Sequence, residues 1–248
     1  MAVRWSLACA LGACAVTAGH SAGANPAVFR EAFLGAELGK SASPPTGRYQ
    51  TDAGGAFIFD RSSARALLKF DGSPEIWVLT AAPGPRGDVI YRNDLGEEML
   101  RSTRLGGMTV FTQKRPDGSA AAFFGASPPL KVPQMSMEAF LNRFEFASDR
   151  ASRAAQHQIG FETVQDAEPD TAGAVADAAM VASLALVDMA QRRATRAAVA
   201  RIIDVVIAQG ARANAVLRKS VLVITIDPRQ GVYGRPSSRW IERAAGAR

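Results

Sequence analysis

AFIFDRSSARALLKFDGSPEIWVLTAAPGPRGDVIYRNDLGEEMLRSTRLGGMTVFTQKRPDGSAAAFF, residues 56–124, contains seven short apolar runs: Ala56–Phe59, Ala66–Phe70, Ile76–Thr80, Val89–Tyr91, Met99–Ser102, Met108–Thr112 and Ala120–Phe124. Their centres recur about every ten residues, with turn chemistry between them, which is the pattern of an antiparallel meander. Between the runs lie Asp71-Gly72-Ser73-Pro74, Pro83-Gly84-Pro85-Arg86-Gly87, Gly106-Gly107 and Pro116-Asp117-Gly118. Glycine there supplies positive φ, and proline cannot join a central ladder. The stretch therefore predicts a small barrel or sandwich.

On the C-terminal side, Ser127–Pro133 holds three prolines and marks a boundary. Met137, Phe140, Leu141 and Phe144 then follow helical spacing behind a capping Ser136, predicting a helix to about His157. A second helical region is predicted over 171–209. Its first half is Ala, Val, Leu and Met, broken by Asp177 and Asp188. Eleven residues return a helix to within about 20° of the same face, so these aspartates share one side. Crossing a membrane would place both in hydrocarbon at about 2.5 to 3.5 kcal/mol each, so a closely packed soluble helix is preferred. In the second half Val199, Ile202, Ile203, Val206 and Ile207 share a helical face, with Gly210 as the stop. Val221–Ile226 reads as one returning strand, and 238–245 as a short last helix. The fold class expected is α+β: a meander followed by a helical segment with one strand.

On the N-terminal side, 27–39 has helical spacing and 41–47 reads as a linker. The chain opens with Arg4, an apolar run from Trp5 to Ala18 and the small residues Ala22-Gly23-Ala24. That order is a secretory signal, with Asn25 as the expected first mature residue. The divisions are thus 1–24, signal peptide; 25–46, short helix and linker; 47–126, β-meander; and 134–248, helical segment with one strand and a basic tail. Leu11-Gly12-Ala13-Cys14 resembles a lipoprotein box, which makes Cys14 the candidate acylation site and a lipid anchor the alternative to a periplasmic or secreted protein. Both cysteines, Cys9 and Cys14, lie inside the signal. The mature chain then holds no disulfide, thiolate metal site or cysteine nucleophile.

Charge is uneven. Asn25 to Gln191 carries 16 Lys and Arg against 20 Asp and Glu, a net of −4, whereas Arg192 to Arg248 carries 12 against 3, a net of +9. In an exported protein such a basic quarter faces anionic envelope material or another envelope protein rather than nucleic acid, or else is a solvated basic face or an interface with the protein's own acidic half. Trp240, flanked by Arg239 and Arg243, is the first candidate contact.

Catalytic signatures are sparse. There is no Gly-x-Ser-x-Gly elbow, no His-Glu-x-x-His and no calcium loop, and Gly231-Val232-Tyr233-Gly234 reads as a turn. No metal or cofactor is expected. His157 reads as a solvated helix-end residue. Asp71, Glu75, Asp88, Asp94, Glu97 and Glu98 read as turn formers. A periplasmic hydrolase would require at least two of Asp71, Asp88, Asp94 and Glu97 in one cleft.

Two resemblances bear on this. Phe70-Asp-Gly-Ser-Pro-Glu-Ile-Trp-Val-Leu79, Pro85-Arg-Gly-Asp88 and Leu105-Gly-Gly-Met-Thr-Val-Phe111 are similar to an uncharacterised family of alphaproteobacterial exported proteins, over most of the mature chain. That resemblance implies export and supplies no site. Tyr49-Gln-Thr-Asp-Ala-Gly54, Phe57, Asp71-Gly72 and Gly87-Asp-Val-Ile-Tyr91 more weakly resemble the membrane-associated lysozyme inhibitors, small envelope barrels; this chain lacks their cysteines and has Arg86 where their inhibitory loop has serine. The function expected is a non-enzymatic envelope binding protein, with hydrolase and lysozyme inhibitor as alternatives.

Overall fold

The computed structural model describes residues 44–246. The expected signal, Cys14 and the 27–39 helix lie outside the described residues. The meander is a closed barrel of eight strands: β1 (Gly47–Thr51), β2 (Ala56–Asp60), β3 (Ala66–Phe70), β4 (Trp77–Pro83), β5 (Val89–Arg92), β6 (Glu98–Ser102), β7 (Met108–Thr112) and β8 (Arg115–Gly125). Each pairs antiparallel with the next, and β8 returns to β1 through Tyr49↔Phe123 and Thr51↔Ala121. β1 is the strand that the apolar runs do not announce. Its inward positions are Gly47, Tyr49 and Thr51, only one of them a large apolar residue.

Alternation fills the barrel. Phe57 and Phe59 of β2, Leu68 of β3, Leu79 of β4, Tyr91 of β5 and Leu100 of β6 are buried in one core. Tyr49 stacks on Phe57 with centroids 5.4 Å apart, and Phe59 meets Tyr91 edge to face at 5.0 Å. Eight strands leave room for little beyond side chains, so this waist is packed rather than open. The register shifts between Tyr91 and Arg92, burying both Met99 and Leu100. Pro116-Asp117-Gly118, expected as a turn between strands, lies inside β8, where the pairing jumps from Thr112↔Arg115 to Val110↔Ser119. Gly118 has φ 88°, and a Cβ there would lie 2.9 Å from the Phe111 ring. The chain reverses at Gln113-Lys114 instead.

After the proline-rich segment comes an α/β unit: α1 (Met137–Ala155), β9 (Gly160–Thr163), α2 (Ala172–Gln191), α3 (Arg193–Val199), β10 (Asp204–Gln209), β11 (Asn214–Arg218), β12 (Val221–Ile226) and α4 (Ser238–Gly246). Ser136 caps α1 by accepting from the Ala139 N–H. The sheet order is β11-β12-β10-β9, parallel except for β11. The fold class is α+β, but this half holds four strands where one was expected, and 204–209 is strand rather than the end of a helix. Spacing alone does not distinguish a short buried strand from a helical stripe. The β-branched run Val205-Val206-Ile207 pairs with β9 on one side and β12 on the other, burying Val205 and Ile207. His157 tethers the end of α1, its Nε2 lying 2.8 Å from the Ile202 carbonyl.

Helix α2 is buried along nearly its whole length among α1, α3, α4 and the sheet. Among the described residues it alone is long and apolar enough to cross a membrane, and 78% of its most apolar window is buried in the protein. Two segments, the proline-rich stretch after β8 and a 3-10 turn at Pro228–Gly234, join the halves along the outer barrel wall. Leu130 and Val132 of the proline-rich segment, with Val232 and Tyr233 of the stretch after β12, cover Leu67 and Ile76. Leu130 N–H donates to Asp60 at 2.7 Å, and Arg65 lies 4.9 Å over the Tyr233 ring.

Candidate functional site

The loops 71–76, 93–97 and 113–114 rim one end of the barrel, and the α/β unit sits over that rim. The docking is polar and directional. Asp94 accepts from Ser237 N–H at 2.8 Å and Ser237 Oγ at 2.6 Å, and Ser237 Oγ in turn accepts from Trp240 N–H at 3.1 Å. Glu75 accepts from Ser238 N–H at 2.8 Å and Ser238 Oγ at 2.6 Å. Two barrel carboxylates thus bind the first turn of α4, where free N–H groups and the helix dipole favour negative charge.

Arg235 lies behind this contact. Its guanidinium pairs through Nε with Asp177 of α2, donates to the Ile76 carbonyl at 3.0 Å and lies 3.9 Å from Glu75. Glu75 is wholly buried and Arg235 nearly so. Burial pushes the Glu75 carboxyl up to about 7, against the pull of Arg235 and the Ser238 hydrogen bonds, with Asp177 adding a smaller upward push. Asp177, expected to share a face with Asp188, therefore faces an ion partner.

Beside this latch is a cavity of about 540 Å³ between the barrel mouth and the α/β unit. Phe70, Trp77, Met99 and Phe111 give it an apolar floor, and Leu184 and Asp188 of α2 with Arg239 of α4 form the roof. Glu97 and Glu98 stand at its rim. Most of these carboxylates have partners: Glu97 accepts from Asn93 at 2.8 Å and Glu98 from Arg101 Nε at 2.8 Å. Arg239 spans the mouth, 3.5 Å from Glu97 and 3.3 Å from Glu242. In the amide orientation that satisfies both groups, Gln113 oxygen accepts from Arg239 Nη2 at 3.0 Å.

Asp188 differs. Among the described residues nothing donates a hydrogen bond to its carboxylate; the Arg192 bond in its vicinity goes to its backbone carbonyl. Burial pushes its carboxyl up, Glu242 adds to this, and Arg192, Arg150 and Arg239 pull the other way without cancelling it. Glu242 is itself buried, with Oε1 unpartnered; Arg192 Nη2 lies 2.6 Å from its Oε2 but out of hydrogen-bond alignment.

A second groove, of about 600 Å³, opens on the other side of Phe70 and Thr112, edged by Arg48, Lys114, Arg115 and Asp71. Asp71 is paired with Arg48 at the surface. Of Asp71, Asp88, Asp94 and Glu97, at least two of which a hydrolase would require in one cleft, only Glu97 lines the aromatic cavity. Asp71 edges the other groove, Asp94 holds Ser237, and Asp88 lies at the opposite end of the barrel. Among the described residues no group of three or more His, Cys, Asp and Glu is placed to hold a metal ion.

The proposed contact residues separate. Arg239 faces the cavity, Trp240 is half-buried against the α/β core, and Arg243 is exposed on α4. Part of the basic quarter meets the acidic half within the molecule, through Arg235 to Glu75 and Asp177 and through Arg239 to Glu97.

In class, then, this is a closed eight-stranded up-and-down barrel whose mouth is roofed by an α/β unit. The chain belongs to the family described as Domain of unknown function (DUF4908), which it matches over residues 28–245, both halves together. Comparison with curated proteins and with solved structures gives no match.

Proposed function

We propose that this is an exported, non-enzymatic binding protein that holds a small amphipathic molecule in the cavity between barrel mouth and roof. The observation that carries the reading is the cavity itself: about 540 Å³, floored by Phe70, Trp77 and Phe111, with a few polar groups converging from the roof and rim. Ligand sites are typically concave, mostly apolar and of about 300 to 1,000 Å³, and barrel mouths are a favoured place for them. The loop carboxylates named for a hydrolase support binding instead, because of Asp71, Asp88, Asp94 and Glu97 only Glu97 lines the cavity while Asp94 holds the α4 start. Arg4, the Trp5–Ala18 run and Ala22-Gly23-Ala24 support export.

The test is titration with the neutral dye N-phenyl-1-naphthylamine, whose fluorescence rises in apolar sites. Saturable enhancement is expected, and Leu184→Trp, which fills the cavity from α2, should abolish it while leaving the melting temperature within a few degrees. An absence of saturable binding, or equal binding by the filled variant, would sink the reading. For export, N-terminal sequencing of protein from the periplasmic fraction should begin at Asn25, whereas an acylated Cys14 would indicate the anchored form.

A further inference from the structure

We infer that the ligand carries a cationic head, of the amine or amidine class, which pairs with Asp188 while its aromatic or apolar body lies on Phe70, Trp77 and Phe111. The inference rests on the cavity being a ligand site and adds the chemistry that the ligand must bring.

Asp188 is half-buried in the cavity wall, and among the described residues nothing donates a hydrogen bond to its carboxylate or forms a salt bridge with it, which leaves that carboxylate open to a charged donor brought by a ligand. The cations nearby are directed elsewhere: Arg192 toward Glu242, and Arg239 toward Glu97, Glu242 and Gln113. Next to Asp188, the buried Glu242 keeps Oε1 unpartnered, and Arg192 Nη2, 2.6 Å from its Oε2 but unaligned, is held toward Glu242 rather than toward the Asp188 carboxylate. Beneath them lie aromatic rings, and the ring faces of Phe and Trp attract cations. A carboxylate ligand would instead add a third negative charge beside Asp188 and Glu242. The other carboxylates facing the space, Glu75, Glu97 and Glu98, are already hydrogen-bonded. Asp188 is therefore the group that selects the head.

Three probes sharing one body test this: 2-naphthaleneethylamine, 2-naphthaleneethanol and 2-naphthaleneacetate, titrated calorimetrically into the full chain at pH 8. The amine is expected to bind about tenfold more tightly than the alcohol, and the acid most weakly, a difference of about 1.4 kcal/mol per decade. Asp188→Asn should bring amine and alcohol within about threefold of each other. Should that variant fail to fold, the wild-type ranking at pH 5 reads the same carboxyl. Asp188 faces Glu242, Arg150, Arg192 and Arg239, and because its carboxyl is raised it takes up its proton sooner than an ordinary aspartate as the pH falls, so the preference for the amine should shrink. Equal affinities at pH 8, a preference for the acid, or an amine preference that Asp188→Asn leaves intact would overturn the inference while leaving a binding cavity. If no probe and no dye binds, the underlying reading fails as well.

Discussion

Glu75 shows how one residue can couple fold and pH. In sequence it is an acid after Gly-Ser-Pro in a turn; in the structure it is sealed under α4 with Ser238 and Arg235 as partners. Its carboxyl lies near 7, above the ordinary 4.5, because burial outweighs those partners. The folded state therefore holds more proton at Glu75 than the unfolded state between those two values, and stability falls as pH rises through the window. The contribution at stake is on the order of 3 kcal/mol. Asp188, raised by burial and by Glu242, acts with the same sign. Asp60 acts oppositely: burial pushes it up, but hydrogen bonds from Ser62 and Leu130 outweigh that and hold it below 3.8, so its effect falls at more acid pH. Urea midpoints are expected to decline from pH 5 to pH 7.5 in the wild type and to decline less in Glu75→Gln. A parallel decline in both would assign the pH dependence elsewhere.

Among the elements, how much the sequence discloses depends on whether a segment's own pattern matches its surroundings. Seven barrel strands are visible as apolar runs about ten residues apart because each brings large apolar residues to the filled interior and turn residues separate it from the next. β1 escapes because two of its inward residues, Gly47 and Thr51, are small. α1 reads cleanly, with its cap, because one face is apolar. β10 does not, since a central strand with neighbours on both sides is apolar at successive positions, and Val206 and Ile207 also fit a helical stripe. β9 and β11 are short pieces recognised by pairing alone. The site was least legible: Asp188 was visible as an interruption in an apolar helix, but only the packing shows that Asp177 has a partner and Asp188 does not. The β8 bulge is a local case with a measurable cost. Gly118→Ala would force a side chain into φ 88° and against Phe111, and a loss of about 1 to 3 kcal/mol is expected from thermal melts. An unchanged melting temperature would mean that β8 can be paired without the bulge.

At the scale of the molecule, the two halves share the Leu67–Ile76–Val232 seam, the Asp94 and Glu75 caps on α4 and the Arg235 pairings. A surface ion pair would contribute little to such an arrangement, but removing the one cation between the buried Glu75 and the largely buried Asp177 costs about 3 to 5 kcal/mol. Arg235 therefore determines whether barrel and roof unfold together. Past the expected signal, the tryptophans are Trp77 in the barrel and Trp240 in the α/β unit, so Trp240→Phe and Trp77→Phe give one reporter for each half. In the wild-type background their urea transitions should coincide, as in a two-state unit. Adding Arg235→Ala should separate them, since Asp177 and Glu75 are then left without their shared cation and the roof loses its hold on the barrel. It should also weaken dye binding, because the cavity exists only while α2 and α4 lie over the barrel mouth. Coincident transitions in the Arg235→Ala background would place the coupling in the apolar seam instead.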